Sequence, residues 1–209
     1  TDIANPFMAE SSLPYGMPPF DLIRDEHFVL AFERGMAEQS TEIESIATNP
    51  GAASFDSTIV AMERSGQMLS RTRRVFSNLA SAHTNDALQE IQQQMAPKFS
   101  AHNDSILPNP ELYARVAALY ERRGSLGLDP ESAYLLQRYH TDFVRAGAKL
   151  SAEEKGRLRE INAKLAELRT AFGQNVLNEV NASAVVVETR EELAGLSDSQ
   201  VESAATEAT

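Results

Sequence analysis

SAEEKGRLREINAKLAELRTAFGQNVLNEVN, residues 151–181, is the longest helical pattern in the 209-residue chain. Leu158, Ile161, Leu165, Leu168 and Phe172 recur at steps of three, four, three and four. That spacing draws one apolar stripe along a helix and leaves Arg157, Glu160, Lys164, Glu167 and Arg169 for water. Val176 and Val180 continue the stripe at steps of four, so it drifts slowly around the axis. Ser151 and Glu154 form a Ser-x-x-Glu capping box at the start. At ~1.5 Å per residue the helix is about 45 Å long, the width of a small domain. A rod of that length needs others laid against it. The pattern therefore predicts the longest and most buried helix of the fold, in which Leu165→Ala costs ~2–5 kcal/mol.

Five further helices are legible before it. The first starts at Asp25, carries Phe28, Phe32, Met36, Ile43 and Ile46 on one face, and ends at Asn49-Pro50-Gly51. Ser54 caps the second, with Ile59, Met62, Leu69, Phe76 and Leu79 inward and Arg64, Arg71, Arg73 and Arg74 on its surface. Those arginines read either as a phosphate or peptide-carboxylate patch or as a solvated face balancing the acidic first helix. Asn85 or Thr84 caps the third, which contains Leu88, Ile91, Met95, Phe99 and Ile106, and a kink is expected at Pro97. Asn109-Pro110-Glu111 and Asp129-Pro130-Glu131 are matched start signals, a cap residue followed by proline at the first helical position. They open helices with Leu112, Val116, Leu119 and Tyr120, and with Leu135, Leu136, Tyr139, Phe143 and Val144, ending at Gly124 and Gly147.

The flanks differ. Residues 1–24 hold Pro6, Pro14, Pro18 and Pro19 among Phe7, Leu13, Tyr15, Phe20, Leu22 and Ile23, and read as an extended arm packed on the bundle. Residues 184–188 (AVVVE) are the one stretch with strand character, and weak helical signals follow Thr189 and Ser197. The expected fold class is all-α, an antiparallel or irregular bundle of about six helices with one short β-strand near the C-terminus. The expected division is an arm over 1–24, a helical domain over 25–183, and the start of a further segment over 184–209. An unpaired strand there is expected to be poorly ordered or to pair with a second copy of the chain.

Composition narrows the partners. The net charge is −11, with −7 carried by residues 1–50. Such a surface repels nucleic acid and anionic membranes. No run reaches the eighteen or so apolar residues of a membrane helix. Cysteine is absent, so disulfides and thiolate chemistry are excluded. The histidines, His27, His83, His102 and His140, lack any His-x-x-x-His or His-Glu-x-x-His spacing. His102-Asn103-Asp104 is the most polar local cluster. Asp25-Glu26, Glu153-Glu154 and Glu191-Glu192 are sequence neighbours that suit helix starts and do not face each other. No catalytic, metal or substrate-binding residue is assigned.

A resemblance adds to this. Arg74-Val75-Phe76-Ser77-Asn78-Leu79 with Ser81-Ala82-His83-Thr84-Asn85 is similar to a run in the thimet oligopeptidase family of zinc peptidases. Ala96-Pro97-Lys98-Phe99-Ser100-Ala101-His102-Asn103-Asp104, Asn109-Pro110-Glu111-Leu112-Tyr113-Ala114-Arg115-Val116, Asp142-Phe143-Val144-Arg145-Ala146-Gly147-Ala148 and Glu192-Leu193-Ala194-Gly195-Leu196 are similar too. Leu13-Pro14-Tyr15 to Pro18-Pro19-Phe20 resembles the bacterial peptidyl-dipeptidase branch. Ser54-Phe55-Asp56-Ser57-Thr58 departs conservatively from the Thr-Phe-Glu-Asn-Thr of that family.

The resemblance implies a helical N-terminal piece of a zinc peptidase about three times this length, walling a deep channel that admits short unfolded peptides. It implies a parent in which zinc-polarised water attacks the peptide carbonyl, with a glutamate as base. The zinc motif would lie in the parent's own C-terminal catalytic domain, so this piece alone is expected to be inactive and to bind no zinc. Self-association of the isolated piece is a further expectation. The expected compartment is the cytoplasm, or the periplasm if a leader has been removed. A free-standing helical adaptor is the competing reading, since capped amphipathic helices serve both.

Overall fold

The 22-residue helix α1 (Glu26–Ala47) runs through two hydrophobic clusters and supplies side chains to both. The computed structural model describes residues 5–183, 185, 187 and 189–207. Its further helices are α2 (Ala61–Arg64), entered through a π-type turn at Asp56–Val60, then α3 (Gln67–Ala82), α4 (Asp86–Ile106), α5 (Pro110–Glu121), α6 (Pro130–Arg145), α7 (Ala152–Ala182) and α8 (Asp198–Glu207). They fall into two compact units, one reaching Ala171 and one from Phe172 onward.

Within the first unit, Phe28 and Phe32 of α1 are fully closed to solvent and meet Phe76 of α3 edge-on at 5.1 and 5.3 Å. Phe99 of α4 stands edge-on to Phe32 at 4.9 Å, and Phe7 of the N-terminal arm reaches Phe28 at 5.2 Å. Edge-to-face rings at these separations add to the burial energy. Gly35 is what lets α3 come this close, because a Cβ there would sit 2.8 Å from the Leu69 backbone nitrogen. About two helical turns further on, α1 changes neighbours. Ile43 and Ile46 pack with Ile59 of the π-type turn and with Met62, Leu112, Val116, Leu119, Leu136 and Phe143 from α2, α5 and α6.

The start signals act as expected. Asn85 accepts from the Leu88 N–H, Asn109 from Glu111 and Leu112, and Asp129 from Glu131 and Ser132. Ser151 and Glu154 exchange both bonds of the capping box. Gly147, at φ +90, closes α6. Pro97 lies inside α4, which continues through it.

Three expectations are corrected. The second predicted helix is divided at Ser65-Gly66. Gly66 takes φ +68, its N–H donates to Glu42 Oε2 at 2.7 Å, and a Cβ would collide with the Gln39 side chain. The strand is not seen: no strand occurs among the described residues, Val185 and Val187 have no regular structure, and Ala184, Val186 and Glu188 lie outside those described. The third correction concerns α7, which is the longest helix but not the most buried. Ile161 is 53% exposed, Leu165 40%, Leu168 55% and Phe172 70%, while Leu158 is half-buried. The physical reason is that periodicity makes one helix face apolar without covering it. Polar bonds hold the N-terminal half of α7 in place: Lys155 Nζ donates to the Pro108 carbonyl, and Asn162 Nδ2 to Asp104 Oδ1 at 2.7 Å.

The second unit comprises the C-terminal part of α7, a 3₁₀ turn at Arg190–Leu193 and α8. Ser197 and Gln200 bond reciprocally at the start of α8, and Arg190 pairs with Asp198.

Candidate functional site: a polar cleft beside α3

α3 turns Met68, Leu69, Thr72, Val75 and Phe76 into the core. The exposed side of the helix carries Arg73, Ser77 and Ser81 at steps of four. These three line a cleft of about 640 Å³ whose other walls are α4 and the first unit's part of α7. An adjoining groove of about 920 Å³ shares Arg73, Ser77, Ser81 and Asn103 and extends past Arg74 to Gln39.

Two clusters noted in the sequence meet here. The Arg73 guanidinium lies 4.7 Å from the centroid of the Phe99 ring, a cation–π contact. Asn103 and Asp104 enter from α4. His102, between the helices, is turned away into the protein, with Nε2 2.7 Å from Gln39 Oε1. Burial, and secondarily the charge of Arg73, holds its pKa below the usual histidine value. The neutral form of the imidazole is favoured accordingly.

The other arginines of that patch do different work. Arg71 Nη2 donates to the Phe7 carbonyl and ties the arm to α3. Arg64 is exposed. Arg115, given no role by the sequence beyond its place in a family-like run, is buried and donates to the carbonyls of Asn49 and Gly51, fixing the loop after α1. No pattern in the sequence marks it as a loop clamp, because its partners are main-chain oxygens 64 and 66 residues away.

The histidines are dispersed. His27 Nδ1 accepts from the Arg24 N–H, and His140 stacks on Tyr120 at 4.0 Å. Among the described residues no three His, Asp or Glu side chains come together to hold a metal ion, so these residues do not fit a zinc site. Among them, too, no helix is long and apolar enough to cross a membrane.

Among the described residues the chain is a set of helices with a polar cleft beside α3. Its relatives are peptidases. The chain is 41% identical over 201 residues to dipeptidyl carboxypeptidase of Escherichia coli (strain K12), which covers 96% of this chain and 30% of that protein. It is 28% identical over 189 residues to oligopeptidase A of Haemophilus influenzae, 90% of this chain and 28% of that one. The chain is thus homologous, over nearly all its length, to the helical part of these thimet oligopeptidase family proteins. It spans about 30% of the length of the curated relatives it matches. No family model matches it.

Proposed function

We propose that the chain is one helical wall of the substrate channel in a longer zinc-dependent peptidase, which releases dipeptides from the C-termini of short unfolded peptides. The observation that carries this reading is the 41% identity maintained over 96% of the chain to a protein named dipeptidyl carboxypeptidase. A wall of this kind works by exclusion, admitting extended peptides and refusing folded proteins. The zinc would be held by residues outside those described, in a C-terminal catalytic domain, and this chain alone would be inactive. We place the parent in the cytoplasm.

The coding region beyond Thr209 tests the reading. A continuous frame with His-Glu-x-x-His some hundreds of residues on supports it. So does a longer chain that releases dipeptides from N-blocked peptides and stops on chelation, while the 209-residue chain releases none. A stop codon shortly after Thr209 replaces it with the second reading, a helical adaptor. On that second reading a partner, or a second copy, would cover the exposed apolar residues of α7, which the rest of the parent would cover on the first.

A further inference from the structure

The cleft beside α3 holds chemistry that packing does not use. Arg73 and Arg169 both line it, and neither has a carboxylate within salt-bridge distance among the described residues. Most cations of this chain lack a salt bridge, so what sets these two apart is that one concavity gathers both guanidiniums, a local positive charge on a chain of net charge −11. Among the described residues Asp104 is the one carboxylate lining the cleft, and its Oδ1 accepts from the Asn162 amide at 2.7 Å. Beneath Arg73 the wall is aromatic, Phe99 backed by Phe32 and Phe76. Ser77, Ser81 and Asn103 supply neutral hydrogen-bonding groups around the rim.

A guanidinium recognises a carboxylate with two parallel hydrogen bonds, and an aromatic wall takes an apolar group beside it. About 640 Å³ accommodates a few residues of extended peptide. We propose that this cleft binds a carboxylate carried next to a large apolar side chain, as at a free C-terminus or an acidic residue of a short peptide, with Arg73 and Arg169 holding the carboxylate. The choice of a peptide as carrier rests on the peptidase reading. The site itself does not.

The experiment is a nuclear magnetic resonance titration of the 209-residue chain with four probes: 3-phenylpropionate, acetyl-Ala-Ala-Phe with a free C-terminus, its C-terminal amide, and acetyl-Ala-Glu-Phe amide. The acid probes should shift the backbone amides of Ser77, Ser81 and Asn103. The uncharged amide should bind at least about tenfold more weakly, the worth of a charge-assisted hydrogen bond. Arg73→Gln and Arg169→Gln should each weaken acid binding by about the same factor, with Arg73→Lys intermediate. Comparing the two carboxylate peptides identifies a C-terminal or a side-chain carboxylate as the preferred group. Equal binding of acid and amide, or wild-type affinity in both glutamine variants, overturns the proposal. Should Arg73→Gln unfold, Arg169→Gln, on an exposed stretch of α7, decides the matter. Binding of 3-phenylpropionate without either peptide overturns the peptide carrier. Peptide binding here, with no dipeptide release by a longer chain, upholds the site and removes the peptidase reading.

Discussion

α1 and α7 carry the same kind of pattern and meet opposite fates. Each repeats apolar residues at three- and four-residue steps, and each begins with acidic residues in its first turn. α1 has Phe28, Ala31 and Phe32 wholly closed to solvent and joins two clusters along its length. α7 is nine residues longer, yet Ile161, Leu168 and Phe172 are more than half exposed. Side-chain type separates them better than period does. α1 contributes two phenylalanines that interlock with Phe76 and Phe99 and a glycine at its closest approach to α3, whereas the α7 stripe is mostly Leu and Val. An apolar stripe states that something can cover a helix. Which stripe is covered depends on shapes that meet only in three dimensions.

The contrast is broken most severely at Phe32. Phe32→Ala should cost about 3–5 kcal/mol, from lost burial and the cavity left among three rings. Denaturant titration followed by circular dichroism measures it. Phe172→Ala, 70% exposed, should cost far less in the same assay. Comparable losses at the two positions would show that α7 is as central as α1.

Glycines sharpen the same point with a change of sign. Gly35→Ala should destabilise by about 1–3 kcal/mol, because the added Cβ meets the Leu69 backbone, which cannot swing aside. Gly173→Ala on α7 meets nothing within 4 Å and should stabilise by up to about 1 kcal/mol through helix propensity. A gain at both positions would mean that α1 and α3 separate more readily than their contact implies.

The smallest effect is pH dependence at His102, which sits where α4 faces Gln39 of α1. Its folded-state pKa is lowered, so below the usual histidine value the unfolded chain binds a proton that the folded chain does not. Stability is therefore full above about pH 6.5 and falls as pH drops through the unfolded pKa toward the folded one. His102→Gln should flatten that slope relative to wild type in melts between pH 7.5 and 5. An unchanged slope would assign it to other groups, with His140 the first candidate, since burial lowers its pKa as well.

Local signals were the legible part of the fold. Caps at Asn85, Asn109, Asp129 and Ser151 and the glycine after α6 act within one turn of their own sequence, so residue type alone decides them. The cleft was half legible: the Arg73 and His102-Asn103-Asp104 groups were visible as clusters, but their convergence, and the addition of Arg169 and Asn162 from α7, joins residues up to 96 positions apart.

By itself the sequence determined the helical class, the helix starts, the absence of thiol chemistry and the likeness to a peptidase family. Only the tertiary structure decided that α1 rather than α7 lies at the centre, that α2 and α3 part at Gly66, and that Arg115 clamps a loop while Arg73 faces a cleft. The physical reason is range. A cap needs only its own backbone within hydrogen-bond reach, whereas burial is settled by which distant surfaces fit together, and an amphipathic period reads the same whether its apolar face ends against protein or against water.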